Sequence, residues 1–365
     1  MGRVLVKKRW EGKRVWVTGH TGFKGSILSH WLLEMGATVS GYALAPATSP
    51  NLYSVLGLGR RMESRIADIR NAAEVRRELE SRAPEVVFHL AAQPLVRASW
   101  EEPASTFETN AQGSVNVLDA IRHVPSVRAC VMVTSDKCYE NFGAKKAFRE
   151  TDRLGGDDPY SASKAAAEVA IASYRRCFFP KGGSTRVASA RAGNVIGGGD
   201  WSRDRLVPDC IRSLERGDPI VLRNPHAIRP WQHVLEPLNG YLQLAQALMS
   251  VEGDRDAGAW NFGPDDGGEW PVQAMAELVI KYWGKGRLVV ARAADGSHEA
   301  EYLSLDSSQA RLLLGWKSRW NTAEAVARTI AWHKAWLTGM DMIAFTTREI
   351  AEYLTTAPKA QLVGT

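Results

Sequence analysis

A glycine-rich turn caught between an apolar strand and an amphipathic helix constrains this chain more than any other feature. Arg14–Val17 (RVWV) is rich in β-branched and aromatic residues. Thr18–Gly25 (TGHTGFKG) turns on glycines 19, 22 and 25, and Lys24–Met35 then sets Ile27, Leu28, Trp31, Leu32 and Met35 on one helical side. Such glycines let a backbone turn tightly and come close to a bound group. The helix start beyond them offers unpaired N–H groups and the positive end of a dipole, which suits a phosphate.

The strand–helix alternation continues along the chain. Strands are expected at Thr38–Ala43, up to Ile66, at Val86–Leu90, Ala129–Thr134 and Thr185–Ala190. Helices are expected at Asn71–Ser81, Pro103–His123, Pro159–Phe178 and Leu235–Met249. That order implies a parallel sheet covered on both faces, and strands apolar throughout fit such burial. After about residue 193 the texture changes. Glycine and proline rise, and nine of the thirteen tryptophans lie at or beyond Trp201, where they are expected to pack a second lobe. With 365 residues the chain is one large domain or two small ones. The expected division is 11–192 with about 233–260 for the nucleotide, about 193–232 with 261–340 for a substrate lobe, and a frayed tail at 355–365.

Charge narrows the partners. Lys plus Arg exceeds Asp plus Glu by 46 to 40, a net +6. The excess is scattered, whereas nucleic-acid binding wants a clustered patch. A mildly positive field suits a small anionic substrate. No stretch matches a membrane helix or a signal core, so a cytoplasmic protein is expected. Cys130, Cys138, Cys177 and Cys210 lack metal-site spacing; buried free thiols and no metal are expected. His20, His89 and His233 are expected in core or hinge positions.

The GxxGxxG turn in its strand–helix setting resembles the nucleotide loop of the extended short-chain dehydrogenase/reductase family, the NAD-dependent epimerases and dehydratases. The resemblance implies a Rossmann-type doubly wound parallel sheet with a smaller, mixed C-terminal lobe. It implies NAD held by Gly19, Thr21, Gly22, Phe23, Lys24 and Gly25, by Asp68-Ile69, and by Leu90, Ala91, Ala92 and Gln93 of HLAAQ. The acid that this family carries after its second strand is missing: Ala43 stands near that place, and neither acid nor base occurs from Gly36 to Gly59. Without a base for a 2′-phosphate, NAD is expected over NADP; Arg60 and Arg61 would support the alternative.

Tyr160 and Lys164 (YSASK) share one helix face at i, i+4. A lysine ammonium and an oxidised nicotinamide beside a tyrosine both favour its phenolate, a base for a sugar hydroxyl. Both residues are also expected against the cofactor. Ser135-Asp136-Lys137 follows the fifth strand, and carboxyl ends of parallel strands face the ligand crevice. In nucleotide-sugar 4,6-dehydratases this place resembles Ser/Thr-Asp-Glu, a hydroxyl, an acid and a base. The chemistry needs that set. The C5 hydrogen of a hexose is not acidic until C4 becomes a ketone. Tyr160 would take the C4 hydroxyl proton, a base would remove H5, Asp136 would protonate the leaving C6 oxygen, and hydrogen taken from C4 would return to C6. Lys137 stands where a glutamate is usual; it would be the C5 base as a neutral amine, or only stabilise an enolate with Glu140 nearby.

Later stretches, ARAGNVIGGGDW, IRPWQHVLEPLNGYL, NFGP and HEAEYLSLDSSQARLLLGW, resemble the CDP-glucose branch of those dehydratases, from about Glu11 to Trp336. They imply CDP-glucose as substrate, bound by Gln93, Ser135, Asn194, Arg205 and Arg229, with Arg229 a diphosphate clamp. The resemblance further implies a hydro-lyase of deoxysugar biosynthesis, as in lipopolysaccharide O-antigen, and a homodimer or higher oligomer formed by helices 103–123 and 159–178. An epimerase or reductase on a nucleotide sugar, and a non-catalytic NAD sensor, are the competing readings. The Asp136-Lys137 pair argues against the first, and intact Tyr160 and Lys164 against the second.

Overall fold

A computed structural model describes residues 9–141, 143, 145–264, 268–291 and 302–358. Its centre is one seven-stranded sheet. The strands are β1 (Arg14–Thr18), β2 (Thr38–Ala43), β3 (Glu63–Ile66), β4 (Val86–His89), β5 (Ala129–Val133), β6 (Arg186–Ala192) and β7 (Ala259–Phe262). They lie in the order β7-β6-β5-β4-β1-β2-β3, every neighbour parallel. The chain winds outward from β1 in both directions, to β2 on one side and β4 on the other. A crevice opens at the carboxyl ends where the winding reverses. The expected Rossmann-type, doubly wound sheet is present.

Helices cover both faces: α1 (Phe23–Glu34), α2 (Ala72–Arg82), α3 (Gly113–Ile121), α4 (Pro159–Cys177) and α6 (Leu235–Leu248) flank the sheet, while α5 (Leu206–Arg216) lies outside it. Asn71 starts α2 and Asp158 starts α4 by accepting backbone N–H bonds, from Glu74 and Ser161. Pro159 fits the first turn of α4, where no N–H is needed. One core cluster joins α1 and α6 across the sheet through Leu28, Val131, Leu238 and Tyr241. Another packs Val87, Val117, Met132 and Ile171 on the opposite face.

A third cluster, Val207, Ile211, Met275, Val279 and Val326 among others, joins α5 to α7 (Val272–Trp283) and one side of α8 (Thr322–Leu337). From the stretch 261–340, Trp316, Trp320 and Trp332 pack into the main sheet core, alongside Trp260 of the segment expected with the nucleotide half, while Trp231 packs into the third cluster. β7 runs two residues past 260, the expected end of that segment. Pattern reading missed it because AWNF is short and carries Asn261.

Two further differences stand out. The long helix expected over 103–123 is interrupted by a π turn at Glu108–Gln112. A helix α9 (Met342–Thr355), capped by Asp341, buries Met342, Ile350 and Tyr353 and was not read from the sequence. Residues 359–365 of the expected tail, and His298–Glu301 of the HEAEYLS motif, lie outside the described residues. Cys130, Cys138 and Cys210 are buried, but Cys177 is exposed, since it falls on the outer side of the last turn of α4. Among the described residues no helix is long and apolar enough to cross a membrane.

Candidate active site

The glycine turn sits at the mouth of the crevice. Gly19 has φ +73°, and a Cβ there would stand 2.7 Å from the Ala91 nitrogen; a Cβ on Gly25 would stand 2.1 Å from the Gly19 oxygen. Glycine is therefore required for the turn to close against Leu90-Ala91 at the end of β4. Thr18 fixes the same junction, its hydroxyl accepting from the Leu90 and Ala91 N–H groups, each at 3.0 Å. Helix α1 begins at Gly22 with no side-chain cap. An uncapped helix start behind so tight a turn, at the carboxyl end of β1, suits a dinucleotide pyrophosphate. Thr21 donates to the Leu44 carbonyl beyond β2.

Other expected cofactor residues are placed less directly. The Asp68 carboxylate is engaged by Arg70, at 2.6 Å and 2.8 Å from its guanidinium and 2.9 Å from its N–H, while Ile69 is buried. The Gln93 side chain bonds Leu95 and Thr106, so it braces its own loop. Arg61, one of the two bases noted for a 2′-phosphate, is bonded to Glu34 and His30 on the outer side of α1. His20, His89 and His233 are buried; His89 bonds Thr18 and Ser114, and burial pulls its imidazole down to about 3.

Tyr160 and Lys164 enter the crevice from α4, both buried. Ser135, Asp136 and Lys137 arrive from the end of β5. Ser135 donates to Asp136 Oδ1 at 3.0 Å and accepts from the Lys137 N–H at 3.2 Å, and the Tyr160 phenol feels its hydroxyl. One hydroxyl thus links the tyrosine and the carboxyl. Asp136 is 3% exposed, and its Oδ2 is buried without a hydrogen-bond partner among the described residues. Gly193 makes room for it: a Cβ there would stand 3.0 Å from that oxygen.

Burial raises the Asp136 carboxyl, opposed by Lys137, the Ser135 hydrogen bond, Arg229 and Lys24. Burial also pulls Lys164 down to about 8. The Tyr160 phenol belongs to the same buried set. Burial pushes it up to about 12, with Ser135 and Arg205 working the other way and Asp136 adding to the rise. Lys137 is half-buried beside Asp136.

Arg205 precedes α5, is bonded to Asp200 at 3.1 Å, and is felt by both Tyr160 and Lys24. Arg229 is 5% exposed, bonds the Ile228 carbonyl and is felt by Asp136. Asn194 is half-buried, its carbonyl accepting from the Gln232 N–H.

Beneath these residues runs a buried network that sequence reading missed. Glu168 continues the Tyr160, Lys164 face of α4 by four more residues. It accepts from Thr134 at 2.5 Å, Ser189 at 2.8 Å and Arg191 at 2.7 Å. The i, i+4, i+8 spacing was a usable signal for Glu168; nothing in the sequence pairs it with Arg191 on β6. The π turn has a role too: it lets Asn110 bond Gln93 and Ser163. Such turns recur at functional sites.

A family model described as GDP-mannose 4,6 dehydratase matches residues 16–329. The chain is 47% identical over 355 residues to a CDP-glucose 4,6-dehydratase of Salmonella typhimurium, covering 96% of this chain and 99% of that protein. It is 31% identical to a dTDP-glucose 4,6-dehydratase of Streptomyces antibioticus, over 87% of this chain and 91% of the other. Among solved structures, a dTDP-glucose 4,6-dehydratase from Streptomyces venezuelae with NAD bound superposes with TM-score 0.76 at 23% identity, covering 90% and 99% of the two chains. A Thermus thermophilus UDP-glucose 4-epimerase in complex with NAD gives TM-score 0.74 at 24% identity, covering 88% and 99%.

Proposed function

Because the chain belongs to the family described as GDP-mannose 4,6 dehydratase, we propose that it converts CDP-D-glucose to CDP-4-dehydro-6-deoxy-D-glucose and water, with NAD as cofactor. Near half-identity to the Salmonella typhimurium enzyme along almost the whole chain supports CDP-glucose as the substrate. The observation that carries the reaction is Asp136: a buried carboxyl, raised by its burial and joined through Ser135 to Tyr160. Oxidation or epimerisation at C4 has no use for an acid there. Expelling the C6 hydroxyl needs one.

NAD, when bound, would supply reversible hydride chemistry between C4 and C6. Gly19, Gly25 and the uncapped start of α1 would hold its pyrophosphate. Tyr160 takes the C4 hydroxyl proton, with Ser135 bonding that hydroxyl and Lys164 holding positive charge nearby. Lys137 removes H5 once C4 is a ketone. Asp136 gives its proton to the departing C6 oxygen. Arg229, Arg205 and Asn194 bind the substrate's phosphates and sugar. The third apolar cluster is the core of the substrate lobe. The enzyme works in the cytoplasm as a homodimer, and Trp100, Phe107 and Val169, exposed on or beside the two expected dimer helices, support that surface. Its product suits deoxysugar assembly, as for O-antigen.

The test mixes protein, NAD and CDP-glucose deuterated at C4. Loss of water, deuterium at C6 and no net NADH are expected. NADH rising in step with product, washout of the label, or a C4 epimer as product would each overturn the reading.

A further inference from the structure

Lys24 brings into the glycine turn a side chain that the turn itself does not need, since backbone alone cradles a phosphate. Its amine reaches inward to 5.9 Å from the ring centre of Tyr241 on α6. There it feels Arg205, Asp136 and Lys164. Two buried oxygens without hydrogen-bond partners among the described residues belong to the same cluster: Asp136 Oδ2 and the hydroxyl of Tyr241, which feels that carboxyl. We propose that Lys24 is a positioning residue for elimination, setting whether Asp136 carries the proton it must give to the C6 oxygen. The inference rests on the dehydratase reading.

Burial pulls the Lys24 amine down to about 7, helped by Arg205 and Lys164 and opposed by Asp136. The same burial raises Asp136, with Lys137, Ser135, Arg229 and Lys24 holding it back. Tyr160 and Tyr241 also face the carboxyl. Pulled down to about 7, Lys24 changes charge near neutrality. A neutral amine leaves Asp136 protonated and able to act. A charged one favours the carboxylate, and the acid is lost.

Lys24→Met and Lys24→Arg in the NAD-loaded enzyme test this with opposite signs. Single-turnover absorbance of the reduced cofactor separates oxidation, its rise, from later steps, its decay. In the wild type the decay slows as pH rises and Asp136 loses its proton. Without the charge, in Lys24→Met, that limb moves up by about one pH unit; with a permanent charge, in Lys24→Arg, it moves down by about as much. At the midpoint of the wild-type limb, decay in the arginine variant is then roughly ten-fold slower than in the methionine variant. Either variant alone decides the sign if the other does not fold. Limbs that coincide in all three active proteins, with NAD affinity lost in Lys24→Met and kept in Lys24→Arg, would make Lys24 a phosphate ligand only and overturn the proposal. A wild type that oxidises but never eliminates sinks the dehydratase reading instead, and the proposal with it.

Discussion

At the residue scale, one hydroxyl joins two chemistries. On the proposed reaction, Ser135 stands between Tyr160, which would serve the oxidation, and Asp136, which would serve the elimination, so substitutions on its two sides have different expected consequences. Tyr160→Phe should abolish the rise of reduced cofactor, because the C4 hydroxyl proton has no acceptor. Asp136→Asn should keep that rise and slow its decay by roughly 10²–10⁴-fold, the usual size of a lost general acid. Stopped-flow absorbance reads both, and an Asp136→Asn enzyme with wild-type turnover would falsify the role of that carboxyl. Lys137 is tested by isotope: Lys137→Met should still reduce NAD yet lose solvent deuterium incorporation at C5. Wild-type incorporation would pass the base role to Glu140 or a water. Most of this centre was legible in the sequence because its chemistry demands residue types at close spacing, as in Ser135-Asp136-Lys137 or Tyr160…Lys164. What was not legible is how burial divides the protons. Sequence gives the lysine one turn from the tyrosine; it does not give the desolvation that raises the Tyr160 phenol.

At the element scale, α4 carries Tyr160 and Lys164, and a buried polar clamp sets its height on the sheet. Glu168 is bound at once by β5 through Thr134 and by β6 through Ser189 and Arg191. The Arg191–Glu168 pair is 3% exposed on both sides. Removing one member strands a buried charge, which typically costs about 3–5 kcal/mol. Arg191→Met should therefore destabilise the fold by that order in urea unfolding. The double variant Arg191→Met with Glu168→Gln should recover much of the loss, because the amide keeps hydrogen bonds to Thr134 and Ser189 without the charge. An Arg191→Met protein as stable as wild type would show that the pair contributes nothing net. The strands and helices of the nucleotide half were readable because parallel strands buried on both faces are apolar throughout and alternate with amphipathic helices. Elements with weak local signals were not: β7 is four residues around Asn261, the π turn needs an i+5 bond that periodicity does not encode, and α9 earns its place by packing on α1 and α8.

At the scale of the whole molecule, the chain closes on itself through a carboxyl. Glu236 on α6 is buried under the sheet and accepts from the Arg319 and Trp320 N–H groups and from the Tyr353 hydroxyl on α9. Residues more than eighty positions apart thus meet at one side chain. Burial outweighs those donors and pushes the carboxyl up to about 7. Glu349 on α9 is buried as well and is pushed up to about 8. Unfolded, both ionise near 4.5. Between that pH and their folded values the unfolded chain gives up protons that the folded chain keeps. Stability contributed by these groups is therefore greatest in acid, falls as pH rises from about 4.5 through 7 and 8, and is level beyond. Each pKa unit is worth about 1.4 kcal/mol, so Glu236 alone contributes a slope amounting to a few kcal/mol across its window. Glu236→Gln keeps an acceptor for Arg319 and Trp320, and the Tyr353 hydroxyl can turn to accept from the new amide. The variant should unfold at nearly the same denaturant concentration as wild type near pH 5, and at a higher one near pH 8. Parallel curves for wild type and variant across that range would mean that Glu236 is ionised in the folded protein, and that three donors outweigh its burial.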